Sequence, residues 1–266
     1  MIQNEPMPLN TKLVVAPEWW PVLQTRRLDT VAAVYACDAG TVVAHSRSTE
    51  VRRVELGHRV VFIKKYWVTK PSQIISGVTR GAVFGKSKVR REFDNLTRLR
   101  AWGLDAPAPV AYGEERRAGC LVRSCLISEA IPDARGLHVL IREGYRDVTK
   151  LADYVRRLHD HHFIHCDLFW RNILVSGNTL DRFYLIDAHK GGYRRGCRAD
   201  DLAALDAPAP AFFRRTERLR FFLRYLNHTG LTAADKALAR RVLKLAAPLR
   251  DKQLSRVRRG DDPQQS

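Results

Sequence analysis

The stretch HCDLFWRNILV, residues 165 to 175, is followed after SGNTLD by RFYLIDAHKGG, residues 182 to 192. Two short apolar runs joined by a Gly-Asn turn predict two paired strands. Polar groups sit at their ends. Asp167 and Asn172 lead into the first strand, and Asp187 leaves the second. An acid, an amide five residues on and a second acid are thereby tied to loops at one small hairpin.

The surrounding segments set the class. DTVAAVY, GTVVAHS, EVRRVEL and HRVVFIKKYW are short β-branched runs, broken at Asp38-Ala39-Gly40 and Gly57-His58, and predict an antiparallel meander. Residues 1 to 30 show no clear period. Residues 69 to 88, with Gly77, Gly81 and Gly85, read as a loop or broken helix. In KVRREFDNLTRLRAWG, residues Val89, Phe93, Leu96 and Leu99 recur at helical spacing and Gly103 is placed to stop the helix. DAPAPVAYGEE turns into a strand, and CLVRSCLISEAI is another, ending at Pro132. In the second half, Leu151, Ala152, Val155 and Leu158 share one helical face. RTERLRFFLRYLNHTG is helical up to Gly230. TAAD at 232–235 is a capping box for a last helix through about Leu245, and residues 249 to 266 read as a polar, frayed end. The expected fold is α+β with two lobes: an N-lobe over 1–130, a C-lobe over 131–250 and a polar tail over 251–266.

The order of polar residues fits phosphoryl transfer. That chemistry needs a metal and a cation on the phosphates, and a carboxylate to orient the attacking hydroxyl. Asp167 is placed to face the acceptor hydroxyl. Asn172 offers an amide oxygen, a hard neutral ligand suited to Mg2+, and Asp187 completes the metal site. His165 reads as a structural histidine and Cys166 as a small spacer. Asp200 and Asp201 read as a cap on the next helix. A kinase also needs a strand lysine held by a helix glutamate. VVFIKKYW offers Lys64 and Lys65, which leave the strand on opposite sides. The kinase strand pattern selects Lys64, and the helix at 89–102 offers Glu92. No single piece is specific. The ordered set of strand Lys, helix Glu, H-x-D-x4-N and strand-end Asp is.

HCDLFWRNILV and YLIDAHKGG resemble the catalytic and metal-binding loops of the protein-kinase-like superfamily. VVFIKKYW, REFDNLTRLRAWGLDAPAPVAYGE and the Asp-x-His form of the metal loop resemble the lipopolysaccharide kinase family of the Kdo/WaaP type, from about residue 45 to 228. The resemblance implies a bilobal kinase fold, with a small β-rich N-lobe and a mainly helical C-lobe. It implies ATP with Mg2+, and phosphorylation of a sugar hydroxyl of the lipopolysaccharide inner core (heptose or Kdo) or a related glycolipid. Lys64, Glu92 and Asp167 then serve catalysis, and Asn172 and Asp187 hold the metal. The backbone near Glu129 and Ile131 meets the adenine. Two features depart from protein kinases. No G-x-G-x-x-G loop is present, which leaves Asp38-Ala39-Gly40 or the turn SRST to lie over the phosphates. Cys166 stands where many protein kinases carry an Arg that receives an activation-loop phosphate, and HKGGYRRGCRADDLAAL is short for such a loop.

Charge bears on the acceptor. The chain carries 46 Lys plus Arg against 28 Asp plus Glu, a net +18, which attracts polyanions. Aminoglycoside or choline kinases, with acidic pockets for cationic substrates, match that charge poorly. A protein kinase or a non-catalytic pseudokinase is disfavoured, and no nucleic-acid-binding signature is present. The expected partner is an anionic glycolipid or sugar, with peripheral contact at the anionic inner-membrane surface. RRTERLRFFLRYL, where Arg214, Arg215, Arg218, Arg220 and Arg224 alternate with Phe221 and Phe222, is either the docking surface or an ordinary amphipathic helix. No signal peptide or membrane span is visible, and the five cysteines include no CxxC. A cytoplasmic chain with reduced thiols is expected.

Overall fold

The computed structural model describes residues 9–67, 85–194 and 196–259, with side chains through Gln253. The loop expected over 69–88 lies mostly outside the described residues. The chain divides into two compact units. Among the described residues, one takes those up to Thr97 and Ala108–Ala130; the other takes Arg98–Pro107 and those from Ile131 to Arg259.

The first unit is built from β1 (Leu9–Val15), α1 (Trp20–Thr25), α2 (Val31–Ala36), β2 (Thr41–Ser46), β3 (Thr49–Leu56), β4 (Arg59–Trp67), most of α3 (Lys88–Ala101), β5 (Pro109–Arg117) and β6 (Cys120–Glu129). The strands form one antiparallel sheet in the order β1-β5-β6-β4-β3-β2. Alternation along the strands sends residues to two faces. On one face Val61, Ile63 and Ile127 pack with Trp19, Leu23, Val31 and Val34. On the other, Leu126 and Tyr112 pack with Val89 and Phe93 of α3.

DTVAAVY is a helix, not the expected strand. Thr30 is extended, and its hydroxyl accepts the Ala33 N–H at 3.1 Å, an N-cap. Val31 and Val34 are one helical turn apart and fully buried. The β-branched run therefore serves as a lid on a finished sheet face, where tertiary packing outweighs strand propensity. Thr30→Ala removes about 1 kcal/mol of that cap. Helix α3 matches its expected span. Ser87 Oγ accepts the Arg90 N–H at 3.1 Å to start it. Gly103, at φ +70°, ends it, as the Leu104 N–H turns back to the Leu99 carbonyl.

The second unit contains β7 (Arg135–Gly136), α4 (Leu137–Arg142), α5 (Thr149–Asp160), β8 (Phe163–Ile164), β9 (Ile173–Ser176), β10 (Arg182–Leu185), β11 (Gly192–Tyr193), α6 (Arg198–Asp206), α7 (Arg215–Leu226) and α8 (Ala233–Arg259). The expected hairpin is present, with Ile173 opposite Leu185 and Ser176 opposite Arg182, and β7 adds a third strand. β11 returns to pair with β8. Gly191 permits this approach, because a Cβ there would lie 2.5 Å from the Phe163 ring.

Two helix ends differ from expectation. α7 stops at Asn227, which takes the left-handed conformation at φ +57°, not at Gly230. α8 has the expected box, with Thr232 Oγ1 accepting the Asp235 N–H and Asp235 Oδ2 accepting the Thr232 N–H. It then runs past Leu245, through Pro248 and on to Arg259, so residues 251–259 are helix and not frayed tail. Packing against α6 sustains it, and Leu245 and Leu249 lie on that side. Among the described residues there is no disulfide, and no helix is long and apolar enough to cross a membrane.

Candidate active site

In the first unit the two adjacent lysines of β4 go to different partners. Lys64 Nζ lies 2.8 Å from Glu92 Oε1 of α3. Glu92 is 3% exposed, so an unpaired carboxylate there would be costly, and the ammonium offsets that cost. Lys65 is also buried. Its ammonium donates to the carbonyls of Tyr35 (3.2 Å) and Cys37 (2.7 Å) and lies 3.0 Å from Glu50 Oε1. Burial pushes the Glu50 carboxyl upward, but hydrogen bonds from Lys65 and Arg52 outweigh it and hold the group below the usual carboxylate range.

Glu129 ends β6 opposite Val61, and its N–H is given to the Ala108 carbonyl at 2.8 Å. Ile131, where the chain re-enters the second unit, accepts the Ala134 N–H. SRST forms the tight turn between β2 and β3. Asp38 and Ala39 instead lie against β3, their carbonyls bonded to Arg52 Nη1.

In the second unit the acid and amide of the opening motif meet directly. Asn172 Nδ2 donates to the Asp167 carbonyl at 2.8 Å and approaches Asp167 Oδ2 at 3.3 Å. The Asn172 carbonyl accepts the Ile186 N–H at 3.0 Å, which fixes Asp187 one residue beyond a backbone link to the loop. His165 is fully buried, and its Nε2 reaches the Ile186 carbonyl at 3.1 Å, a second tie between the same segments. Asp187 itself sits at φ +59°, uncommon for a side-chain-bearing residue. His189 Nδ1 lies 2.8 Å from its Oδ1.

Asp201 has a different role from the expected cap. It is 1% exposed and points into the unit. Oδ2 accepts the His165 N–H at 2.7 Å and Oδ1 accepts the Cys166 N–H at 2.8 Å. His159 Nε2 lies 3.3 Å away, and its Nδ1 is 2.8 Å from the Tyr225 hydroxyl. One carboxylate thus satisfies two loop amides at the residue where the chain adopts φ +63°, Cys166. Helical spacing gave a signal for this: Asp201 lies one turn before the buried Leu205. Burial raises the Cys166 thiol above its ordinary value, consistent with a spacer and not a nucleophile.

Two further cations face Asp167 that the motif did not indicate. Lys190 Nζ lies 3.3 Å and Arg171 Nη2 3.6 Å from Oδ2. On α7, two of the five expected surface arginines are matched internally: Arg218 holds both oxygens of Asp206, and Arg224 holds Asp153. Arg214, Arg215 and Arg220 are exposed. Phe221 and Phe222 line an apolar cavity of about 250 Å³ with Leu202 and Val242.

Residues 40–235 match the model of the lipopolysaccharide kinase (Kdo/WaaP) family. A 3-deoxy-D-manno-octulosonic acid kinase of Actinobacillus succinogenes is 33% identical over 123 residues, covering 43% of this chain and 50% of the relative. One from Vibrio cholerae is 32% identical over 130 residues, covering 42% and 53%. The chain therefore spans about half the length of these curated relatives. The structure of WaaP in complex with acyl carrier protein superposes with a TM-score of 0.62 at 23% identity, covering 88% of this chain and 99% of that one. A microcompartment-associated aminopropanol kinase superposes at 0.53 and 15% identity, covering 81% and 85%. These likenesses show a protein-kinase-like α+β fold.

Proposed function

The chain belongs to the lipopolysaccharide kinase (Kdo/WaaP) family, and we propose that it transfers the terminal phosphoryl group of ATP to a hydroxyl of 3-deoxy-D-manno-octulosonic acid in a glycolipid acceptor. One observation carries this reading: the lock between Asp167, Asn172 and Ile186, which holds an acid, an amide and the strand-end Asp187 in one rigid arrangement. Such preorganisation is what phosphoryl transfer asks of a protein.

In this reading Asp167 accepts a hydrogen bond from the acceptor hydroxyl, orients its oxygen for attack and takes up the proton as the new O–P bond forms, while the bond from the γ-phosphorus to the bridging oxygen breaks and ADP leaves. Lys64 neutralises phosphate charge, and Glu92 holds its ammonium in place. The donor set suits Mg2+: an amide oxygen from Asn172, whose nitrogen is turned to Asp167, and carboxylate oxygen from Asp187. Bound there, the metal supplies neutralisation of phosphate charge. The Glu129 carbonyl and the Ile131 N–H meet the adenine edge, since the Glu129 N–H is given to Ala108. Contact with the bilayer is peripheral, through exposed cations such as Arg214, Arg215 and Arg220.

The test is incubation with Mg-ATP and a lipid A precursor bearing this sugar, read by mass spectrometry. One added phosphate on the sugar, absent with Asp167→Ala, is the expected result. Transfer to a small amino alcohol and not to the glycolipid would replace this reading with that of a small-molecule phosphotransferase.

A further inference from the structure

Beside Asp167 lies a cavity of about 440 Å³ within the second unit. Part of its wall comes from an element distant in sequence. Leu245, Leu249 and Lys252 of α8 line it, from the stretch of helix that continues past the expected end. Lys252 joins Arg171 and Lys190 in the lining, so three cations face two carboxylates, Asp167 and Asp200. The balance inside the cavity favours an anion.

We propose that Lys252, together with Arg171 and Lys190, anchors the carboxylate of the acceptor sugar, and that the second half of α8 is the acceptor-side wall of the site. The inference rests on the kinase reading above and adds how the acid is selected. Three features support it. The cavity contains the carboxylate assigned to the attacking hydroxyl, so a group bound there lies next to the reacting oxygen. The Arg171 guanidinium carbon lies over the Phe169 ring, 4.5 Å from its centre, a contact that restrains a planar fork suited to a carboxylate. Leu245 and Leu249 give the wall an apolar side, which lowers the local dielectric and strengthens a charge pair made against it. Lys190 and Arg171 belong to segments next to the proposed metal ligands and can also serve phosphate. Lys252 belongs to neither, which makes it the discriminating residue. It acts by positioning: it holds the sugar acid while Asp167 faces the hydroxyl.

The experiment compares the acid acceptor with its neutral carboxamide analogue at saturating Mg-ATP. Wild-type protein is expected to show a KM about tenfold higher for the amide, the scale of a charged contact at a partly exposed site. Lys252→Ala is expected to raise KM for the acid about tenfold and to leave KM for the amide within about twofold of wild type. Its kcat and its KM for ATP should remain within about twofold of wild type, and Lys252→Arg should restore the acid preference. Lys252 is exposed and alanine favours helix, so the variant keeps its fold. An equal loss on both acceptors, or a raised KM for ATP, would overturn the anchor while leaving the kinase reading intact. Wild-type protein that phosphorylates neither acceptor would overturn both.

Discussion

Lys64 and Lys65 are consecutive residues of one strand, and the fold uses them in opposite ways. Lys64 faces the sheet side on which α3 packs, and its ammonium meets the Glu92 carboxylate. Lys65 faces the side covered by α1 and α2. There it is bound to two backbone carbonyls and to Glu50, and it ties the N-terminal segment to the sheet. The comparison separates a cation that meets a helix carboxylate from a cation that binds backbone carbonyls of the segment before the sheet. The second unit repeats the contrast with acids: Asp167 lines a cavity, whereas Asp201 spends both oxygens on loop amides. Charge alone does not mark a site; what the fold leaves the charge to do does.

Exchanging the two lysines is the strongest way to break the comparison. Lys64→Ala is expected to lower kcat/KM by about a thousandfold, roughly 4 kcal/mol of transition-state stabilisation, with little change in melting temperature. Lys65→Ala should do the reverse, costing about 2–3 kcal/mol of stability by leaving the Tyr35 and Cys37 carbonyls without this donor and Glu50 with Arg52 alone of its two cations. Denaturation curves beside kinetics on the folded fraction decide it. Equal activity losses at equal folded fraction would abolish the division.

Asp201→Asn sharpens the acid half of the contrast. It is expected to cost about 3 kcal/mol, because an amide cannot accept from both loop N–H groups as the carboxylate does. Activity should fall with loop order, which hydrogen exchange at the His165 and Cys166 amides would report. No loss of protection there would remove Asp201 from its proposed part in the loop.

The smallest effect is a pH signature. Glu50 is held below the ordinary carboxylate range in the folded protein. Its contribution is therefore fully present above the unfolded value of about 4.3 and is lost as pH falls through the depressed native value. The stability difference between wild type and Glu50→Gln should be constant above that pH and shrink below it. A difference that grows on acidification would mean that Lys65 does not depend on Glu50.

Much of this was legible in the chain. The hairpin, helix α3 with its Gly103 stop, and the capping box of α8 follow from local rules of period, turn and cap. The ordered set of strand Lys, helix Glu, H-x-D-x4-N and strand-end Asp could be read along the chain, and the structure brings Lys64 to Glu92 and Asn172 to Asp167. DTVAAVY was not legible, because its β-branched residues suit a strand until a sheet face needs a lid. The extension of α8 to Arg259 was not legible either, since its polar end carries no period strong enough to outweigh Pro248.

The sequence by itself determined the elements and the residue types available for chemistry, because those depend on contacts within a few residues. Only the tertiary structure decided which of two adjacent lysines meets Glu92, that Asp201 binds a loop far away in sequence, and that Lys252 lines the cavity beside Asp167. Those outcomes depend on which distant groups share a buried space, where the cost of an unpaired charge selects the partner.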